Sequence, residues 1–376
     1  MKFPIFTIWR EELKNIYRDI GVVLFFIVVP FIYPVLYSII YNPEVMRETP
    51  MVVVDMSHST LSRDFVRRID ATPDVQVYKY ASNMEEAKEI VNSKKAYGIL
   101  FIPQEFSQDI HRGKQTTVSL YADMSGLLFY KAVLLATTEA SLEMRKIVNV
   151  NAIELPVPYE AISLYNTQNG FASFLVPGIL VLVVQQTLLL GISMICATTR
   201  ERNRGALVPH NPIYSDALRT ILGKVMAYLT VYIFMSIWVF IVMPSLFHFP
   251  HLANEGTLAL FILPYLLACI FFSMVVAAFI RGRETPMMIL VFTSLPILFM
   301  SGISWPQTAI PAFWKYFGYL FPSTFGIQGF VKLNSMGASL NEIAFEYKAL
   351  WLQTGIYFII TLLIYKISLL LHKNKI

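Results

Sequence analysis

The chain has 376 residues, of which 56% are hydrophobic and only 15% are charged, with a mean hydropathy of +0.55. A soluble domain carries about 25% charged residues, so an ordinary water-soluble enzyme is excluded. Uncharged runs of about eighteen or more residues predict transmembrane helices. The net charge of +5 does not indicate a nucleic-acid partner, because the basic residues flank hydrophobic runs, where membrane topology accounts for them. The composition predicts a polytopic α-helical membrane protein.

Residues 1–20 predict an amphipathic helix that lies in the membrane interface. Apolar side chains recur at three- and four-residue steps and share one helical face, and charged side chains fill the other face. A cleaved signal peptide is the weaker alternative, because the next apolar run is too long and lacks a small-residue cleavage site. The expected apolar face is Phe6, Trp9, Leu13, Ile16 and Ile20, with Trp9 at headgroup depth. The expected polar face includes Arg10, Glu11, Glu12, Lys14, Arg18 and Asp19.

Residues 21–41 predict the first transmembrane helix, which carries no charge. A charge at the centre of such a helix costs roughly 2.5–3.5 kcal/mol on insertion scales. Residues 42–170 do not resemble a transmembrane segment. Short runs rich in Val, Ile and Tyr alternate there with amphipathic runs, and this alternation predicts a water-soluble α/β domain. Its strands are expected at 51–55, 75–80, 97–102 and 117–121, before a long helix at 127–148 that leads back toward the membrane.

Residues 171–376 predict a transmembrane domain of five more helices. The hydrophobic runs are 171–197, 225–243, 257–280, 286–300 and 349–365. The run 286–300 is too short to cross straight at 1.5 Å per residue. The apolar, Pro-, Gly- and aromatic-rich segment 301–330 follows it and predicts a re-entrant helical hairpin.

Basic residues predict the orientation of these spans. If the basic flanks lie inside, the chain has six transmembrane helices and both termini are cytoplasmic, and the α/β domain is extracytoplasmic. The flanking residues are Lys2, Arg10, Lys14, Arg18, Arg200, Arg202, Arg204, Arg281, Arg283, Lys366, Lys373 and Lys375.

No set of residues predicts catalysis, a cofactor or a metal. The chain lacks the G-x-x-x-x-G-K-[ST] pattern that cradles ATP phosphates. His248 and His251 lie in a short loop without a metal-binding spacing, and Cys196 and Cys269 fit small buried hydrophobes. No charged residue lies mid-membrane, which argues against an ion-coupled carrier.

Two motifs and this order of spans resemble the permease subunit of an ABC type-2 exporter of the multidrug-exporter kind, with a large periplasmic domain. The resemblance covers essentially the whole chain, and it departs from the family pattern at Ala206 and Val208. The first motif lies in the loop 199–224, TRERNRGALVPHNPIYSDALRTILGK. Its layout is followed at Arg200, Glu201, Arg202, Gly205, Ala206, Leu207, Pro212, Gly223 and Lys224, although Ala206 stands where the family has Thr. The second matches at Ser301, Gly302, Pro306, Pro311 and Pro322.

The resemblance implies that a separate ABC ATPase, which holds ATP and magnesium, docks under the loop and the interfacial helix. A second permease, identical or paralogous, is implied as well. The implied coupling residues are Glu201, Arg202, Arg204, Gly205, Pro212 and Lys224, and those of the interfacial helix are Trp9, Arg10 and Lys14. The alternative for the arginines is that they only set the topology.

Two further groups of residues have open interpretations. Gln185 and Gln186 face either the transport path or the partner permease, or they make ordinary interhelical hydrogen bonds worth about 0.6–2 kcal/mol. The re-entrant stretch is either an exit gate or a lid packed on neighbouring helices. Its candidate residues are Ser301, Gly302, Trp305, Pro306, Pro311, Trp314 and Pro322.

The function expected from the resemblance is export of a hydrophobic or amphipathic compound across a bacterial inner membrane. A periplasmic adaptor and an outer-membrane channel are candidate partners. A lipid or glycan exporter is one alternative. A non-transporting membrane sensor or scaffold is the other, but it needs neither six spans nor a broken helix.

Overall fold

The computed structural model describes residues 4–41, 47–122, 127–147, 171–203, 205–209, 211–249 and 251–373. The chain divides into two compact units. The first, helical unit comprises Met1–Asn42 and Leu164–Ile376, and the second unit comprises Pro43–Ser163.

The helical unit begins with α1 (Pro4–Arg18). The next helix consists of α2 (Ile20–Val23), a π-helical turn (Leu24–Val28) and α3 (Val29–Tyr41). After the second unit come α8 (Phe171–Arg202) and α9 (Ala217–Ile237), which continues through a π-helical turn (Trp238–Val242) into α10 (Met243–Leu246). The remaining helices are α11 (Glu255–Ala277), α12 (Thr285–Met300), α13 (Ala312–Gly318), α14 (Pro322–Met336) and α15 (Ala344–Lys373).

Five helical segments among the described residues are long and apolar enough to cross a membrane. They are Ile20–Ile40, Leu175–Arg202, Ala217–Leu246, Glu255–Ala277 and Ala344–Leu371. The prediction of a polytopic helical membrane protein is therefore confirmed. The predicted fifth span corresponds to α12, whose 16 residues reach about 24 Å, less than a hydrocarbon core of about 30 Å.

Helix α8 is the centre of this unit. In the most apolar stretch of α8, 94% of the residues are buried, whereas in the corresponding stretch of α15 only 17% are buried. It contacts α3, α11, α12 and α14. A helix that is apolar on every side belongs in the interior of a bundle, and α8 has this character.

The second unit shows the predicted alternation of strands and helices. Its elements are β1 (Thr49–Asp55), α4 (Thr60–Asp70), β2 (Val75–Tyr80), α5 (Met84–Asn92), β3 (Gly98–Ile102), α6 (Phe106–His111), β4 (Ser119–Ala122) and α7 (Leu127–Ile147). The strands form a sheet with the order β2-β1-β3-β4, in which β4 is antiparallel to β3 and the other pairs are parallel. Phe65 of α4 and Val133 of α7 share a buried cluster with Val53, and Ala87 of α5 shares a second cluster with Val52, so the helices cover both faces of the sheet.

The predicted faces of α1 need a correction. The buried face carries Ile8, Glu12 and Ile16, which are spaced by four residues. Glu12 is only 2% exposed, whereas Phe6 and Ile20 are 57% and 87% exposed. The prediction that Glu12 lies on the polar face was wrong, because α1 packs against α9, where Glu12 has a charged partner.

Candidate coupling site and the polar residues of the central helix

The loop between α8 and α9 begins where glycine ends the first helix. Gly205 has a φ of +89°, and its N–H donates to the Arg200 carbonyl at 2.8 Å. This left-handed conformation after the helix favours glycine. A short 3-10 turn, Pro212–Tyr214, follows, and the Asp216 carboxylate then caps α9 by accepting a hydrogen bond from the Leu218 N–H at 3.1 Å.

The predicted coupling residues separate into two groups. Glu201, Arg202, Gly205 and Pro212 are exposed, so a partner protein can reach them. Lys224 is instead only 3% exposed. Arg204 lies outside the described residues.

Lys224 is buried because it pairs with α1. Its Nζ lies 3.3 Å from Oε1 of Glu12, and the Tyr228 hydroxyl donates a hydrogen bond to the same carboxylate. Next to it, a Cβ added to Gly223 would lie 2.7 Å from Ile8, so glycine allows α1 to approach α9 closely. The Gly-Lys pair of the motif therefore joins the N-terminal helix to α9.

Two further hydrogen bonds hold α1 in place. The Tyr214 hydroxyl donates to Oε2 of Glu11 at 2.8 Å, and Trp9 Nε1 donates to Oγ1 of Thr230 at 3.1 Å. Burial, together with the bond to Glu11, raises the pKa of Tyr214 well above its ordinary value. The predicted interfacial residues Arg10 and Lys14 lie on the exposed side of α1.

Asp19 joins three elements at the same end of the helical unit. Its carboxylate accepts two hydrogen bonds from Nη2 of Arg283, at 2.6 and 2.7 Å, just before α12. It also accepts from the Gly21 N–H at 3.1 Å, which caps α2, and from the Thr198 hydroxyl of α8 at 3.3 Å. The start of the first apolar helix is thus fixed to α8 and to the turn before α12.

Arg200, the first arginine of the motif, turns inward. Its Nη1 donates to the Ile280 carbonyl at 2.7 Å, and its Nη2 donates to the Ala278 carbonyl. These carbonyls follow the last turn of α11, where a cation also complements the helix dipole. Arg200 therefore connects α8 to α11 rather than facing a partner.

Polar side chains in the middle of α8 are less completely bonded. Oε1 of Gln185 accepts the Ser323 N–H at 2.6 Å and so caps α14, and Thr187 accepts the Tyr232 hydroxyl at 2.9 Å. Among the described residues, however, other buried polar atoms lack a hydrogen-bond partner. Those in α8 and beside it include Nε2 of Gln185, Nε2 and Oε1 of Gln186, Oγ of Ser193 and Oγ of Ser323.

The predicted re-entrant stretch contains an open apolar groove. After α12, the Ser301 hydroxyl donates to the Leu298 carbonyl at 2.6 Å, and Gly302 turns the chain with a φ of +89°. Pro306 precedes a 3-10 turn, Gln307–Ala309, and Pro322 begins α14. The groove has a volume of about 350 Å³ and is lined by Pro296, Phe299, Met300, Trp305, Ile310, Pro311 and Trp314.

The sequence did not predict the interhelical ion pairs of Glu12, Asp19 and Arg283. One signal could have found Glu12, because its four-residue spacing from Ile8 and Ile16 places it on their face. The Asp19–Arg283 pair joins residues 264 positions apart, so no local pattern indicates it.

Comparisons with known proteins identify one family. A family model described as "ABC-2 family transporter protein" matches residues 20–363, which is nearly the whole chain. No curated protein matches, and no solved structure does.

Proposed function

The chain belongs to the ABC-2 transporter family, and on that premise we propose that it is the permease subunit of an ABC exporter. ATP and magnesium are bound by a separate ABC ATPase. The observation that carries the proposal is the segment between α8 and α9. Its surface residues Glu201 and Arg202 are exposed, while both of its ends are bonded to other helices through Arg200 and Lys224.

This arrangement suits the transmission of force. A partner that pushes on the segment moves α8 and α9 directly, α11 through Arg200, and α1 through the Glu12–Lys224 pair. Lys224 acts in this scheme as an internal link, and Glu201, Arg202, Arg204, Gly205 and Pro212 form the contact surface. The alternative, that the arginines only set topology, predicts no ATPase contact there.

We infer six transmembrane helices with cytoplasmic termini in a bacterial inner membrane. Residues 1–20 form the interfacial helix, 21–41 the first span, 42–170 an extracytoplasmic domain and 171–376 the other five spans. The basic residues at the proposed inner ends support this orientation. Helix α12, with 16 residues, is too short to cross the bilayer alone, and in this proposal the re-entrant pair α13 and α14 fills the rest of the membrane thickness beside it.

The transported compound is hydrophobic or amphipathic. The apolar groove between Trp305 and Trp314 supports a hydrophobic or amphipathic compound, because small-molecule sites are typically mostly apolar clefts with volumes of about 300 Å³ or more. In this scheme the groove lies at the outer exit, and Gln185 and Gln186 lie along the path. A lipid or glycan exporter is the second candidate within the same family, and a non-transporting sensor is the third.

A second permease, identical or paralogous, completes the transporter. Several helices present large apolar side chains at the surface, among them Phe292 of α12 and Ile39 of α3. Lipid and a partner permease both suit such surfaces. A periplasmic adaptor and an outer-membrane channel are further candidate partners of the extracytoplasmic domain.

The test is recovery of the ATPase subunit with the purified permease and its ATP hydrolysis in lipid nanodiscs. The variants Glu201→Arg and Arg202→Glu each change an exposed residue of the segment. The matched control is Lys88→Glu, at an exposed position of α5. The proposal expects roughly ten-fold less bound ATPase for both loop variants and wild-type recovery for the control. Equal recovery for all three proteins contradicts the docking surface.

A further inference from the structure

Within the described part of α8, Gln186 is the glutamine whose side-chain amide has neither of its polar atoms hydrogen-bonded. Its side chain is 5% exposed, and neither its Nε2 nor its Oε1 has a hydrogen-bond partner among the described residues. An unbonded polar group is costly in the interior of a membrane protein, because no water is present to replace the missing partner. Buried amides of this kind therefore need an explanation beyond packing.

Most neighbouring polar side chains of α8 make at least one hydrogen bond. Gln185 accepts a hydrogen bond from Ser323, and Thr187 accepts one from Tyr232. Ser193 is the exception, since its hydroxyl is fully buried and unbonded within the described part of the chain. Gln186 and Ser193 are seven residues apart, so they lie on the same face of α8, two turns from each other.

Several helices of the same chain pack around α8. Gln185 faces α11 and α14 through Cys269 and Ser323, and a Cβ added to Gly191 would clash with Phe26 of the first apolar helix. The other neighbours of α8 include α3 and α12. Both contain an internal proline, Pro34 and Pro296, and both are free of charged residues.

A partner permease does not explain the unbonded amide. Gln186 is already buried within the single chain, so a second copy that packs on the outer surface of the helices does not reach it. The group that completes its hydrogen bonds must enter between helices of the same chain. In a permease, the transported compound is the molecule that does so.

We propose that Gln186, with Ser193 two turns away, binds a neutral polar group of the transported compound when the helices packed around α8 separate. The side-chain amide offers one acceptor and a donor, which a carboxamide complements with its own donor and acceptor. The group is neutral, because residues 171–199 contain no charged side chain and a buried ion would lack a counter-charge. The proposal rests on the proposed export function and adds the chemistry that the transporter recognises.

Two probes with the same alkyl chain distinguish a neutral head group from a charged one, namely dodecanamide and dodecyltrimethylammonium. The permease is reconstituted with its ATPase in nanodiscs, and stimulation of ATP hydrolysis is measured for wild type and Gln186→Met. The expected result is that dodecanamide stimulates wild type more than the cation does, and that Gln186→Met loses about ten-fold in apparent affinity for the amide.

The matched control is Gln353→Met, at a buried glutamine of α15. Its Oε1 has no partner among the described residues, but its Nε2 donates to the Tyr319 carbonyl at 2.8 Å. This variant is expected to lower the melting temperature and keep the amide response, whereas Gln186→Met is expected to raise the melting temperature. An unchanged amide response in Gln186→Met, no amide response in wild type, or a lowered melting temperature for Gln186→Met overturns the inference. If the ATPase fails to bind the wild-type permease, the proposed function itself is wrong.

Discussion

Glu12 and Lys224 lie at one end of the helical unit, deeply buried and paired with each other, whereas Gln186 is almost as deeply buried in α8 and unbonded in the described structure. The first region includes a second link, Asp19 with Arg283, and a third, Arg200 with the end of α11. Its bonded polar groups connect separate helices. In the second region, around Gln186 of α8, unbonded polar atoms are free to bind another molecule.

The difference has an energetic meaning. A buried ion pair costs desolvation energy to form, but removing one partner is worse, because the other charge stays buried. Such a pair therefore fixes how two helices meet. An unbonded amide has the opposite effect, because the fold gains when a ligand or an apolar side chain replaces the missing bonds. We interpret the first region as a rigid connection and the second as a binding site.

The largest expected effect is the loss of one charge from the buried pair. Lys224→Met leaves the Glu12 carboxylate buried without its counter-charge and should destabilise the helical unit by about 3–5 kcal/mol. Thermal melting in detergent measures the effect. Combining it with Glu12→Leu removes both charges and should recover most of the stability. If Lys224→Met melted at the same temperature as the double variant, the Glu12–Lys224 pair would not hold α1 against α9.

A smaller effect is expected where α1 approaches α9. A side chain at residue 223 meets Ile8, so Gly223→Val should cost about 1–3 kcal/mol through overpacking. Adding Ile8→Ala creates space and should restore part of the loss. If the melting temperature of Gly223→Val equals that of wild type, α1 does not contact α9 as closely as described.

The Asp19–Arg283 pair is partly exposed, so its contribution should be smaller. Asp19→Asn keeps a capping side chain for α2 but weakens the charge-assisted bonds to Arg283, at a cost of about 1.5 kcal/mol. The control is Asp216→Asn. Asp216 caps α9 and pairs with Arg219 at the surface, so a loss of about 0.5 kcal/mol is expected. Equal melting temperatures for the two variants would contradict the structural role of Asp19.

Tyr214 gives the smallest effect and a pH dependence. Tyr214→Phe removes the bond to Glu11 and should cost about 1 kcal/mol at neutral pH. Because the folded-state pKa of Tyr214 is raised, the tyrosine stabilises the fold fully below its ordinary pKa of about 10 and loses this contribution as pH rises through the higher folded value. The melting temperatures of wild type and variant should therefore differ at pH 7 and converge under strongly alkaline conditions.

Local patterns predicted much of the fold. Uncharged runs predicted the apolar helices, and alternating strands and amphipathic runs predicted the α/β unit, because these signals come from residues close in sequence. The links of the candidate site come from distant residues, since Glu12 and Lys224 are 212 positions apart. Nor does a local pattern reveal that Gln185 has a partner while Gln186 has none among the described residues, because the partner of Gln185 is the distant Ser323.

The most direct test compares the two regions in one preparation. The melting temperatures of Glu12→Gln and Gln186→Met are measured beside wild type in the same detergent. The account predicts opposite signs, because Glu12→Gln leaves the Lys224 ammonium buried without its counter-charge, whereas Gln186→Met removes unbonded polar atoms. A lower melting temperature for Glu12→Gln and a higher one for Gln186→Met is the expected result. A decrease for both variants would show that Gln186 is bonded within the fold and would contradict the distinction between rigid connection and binding site.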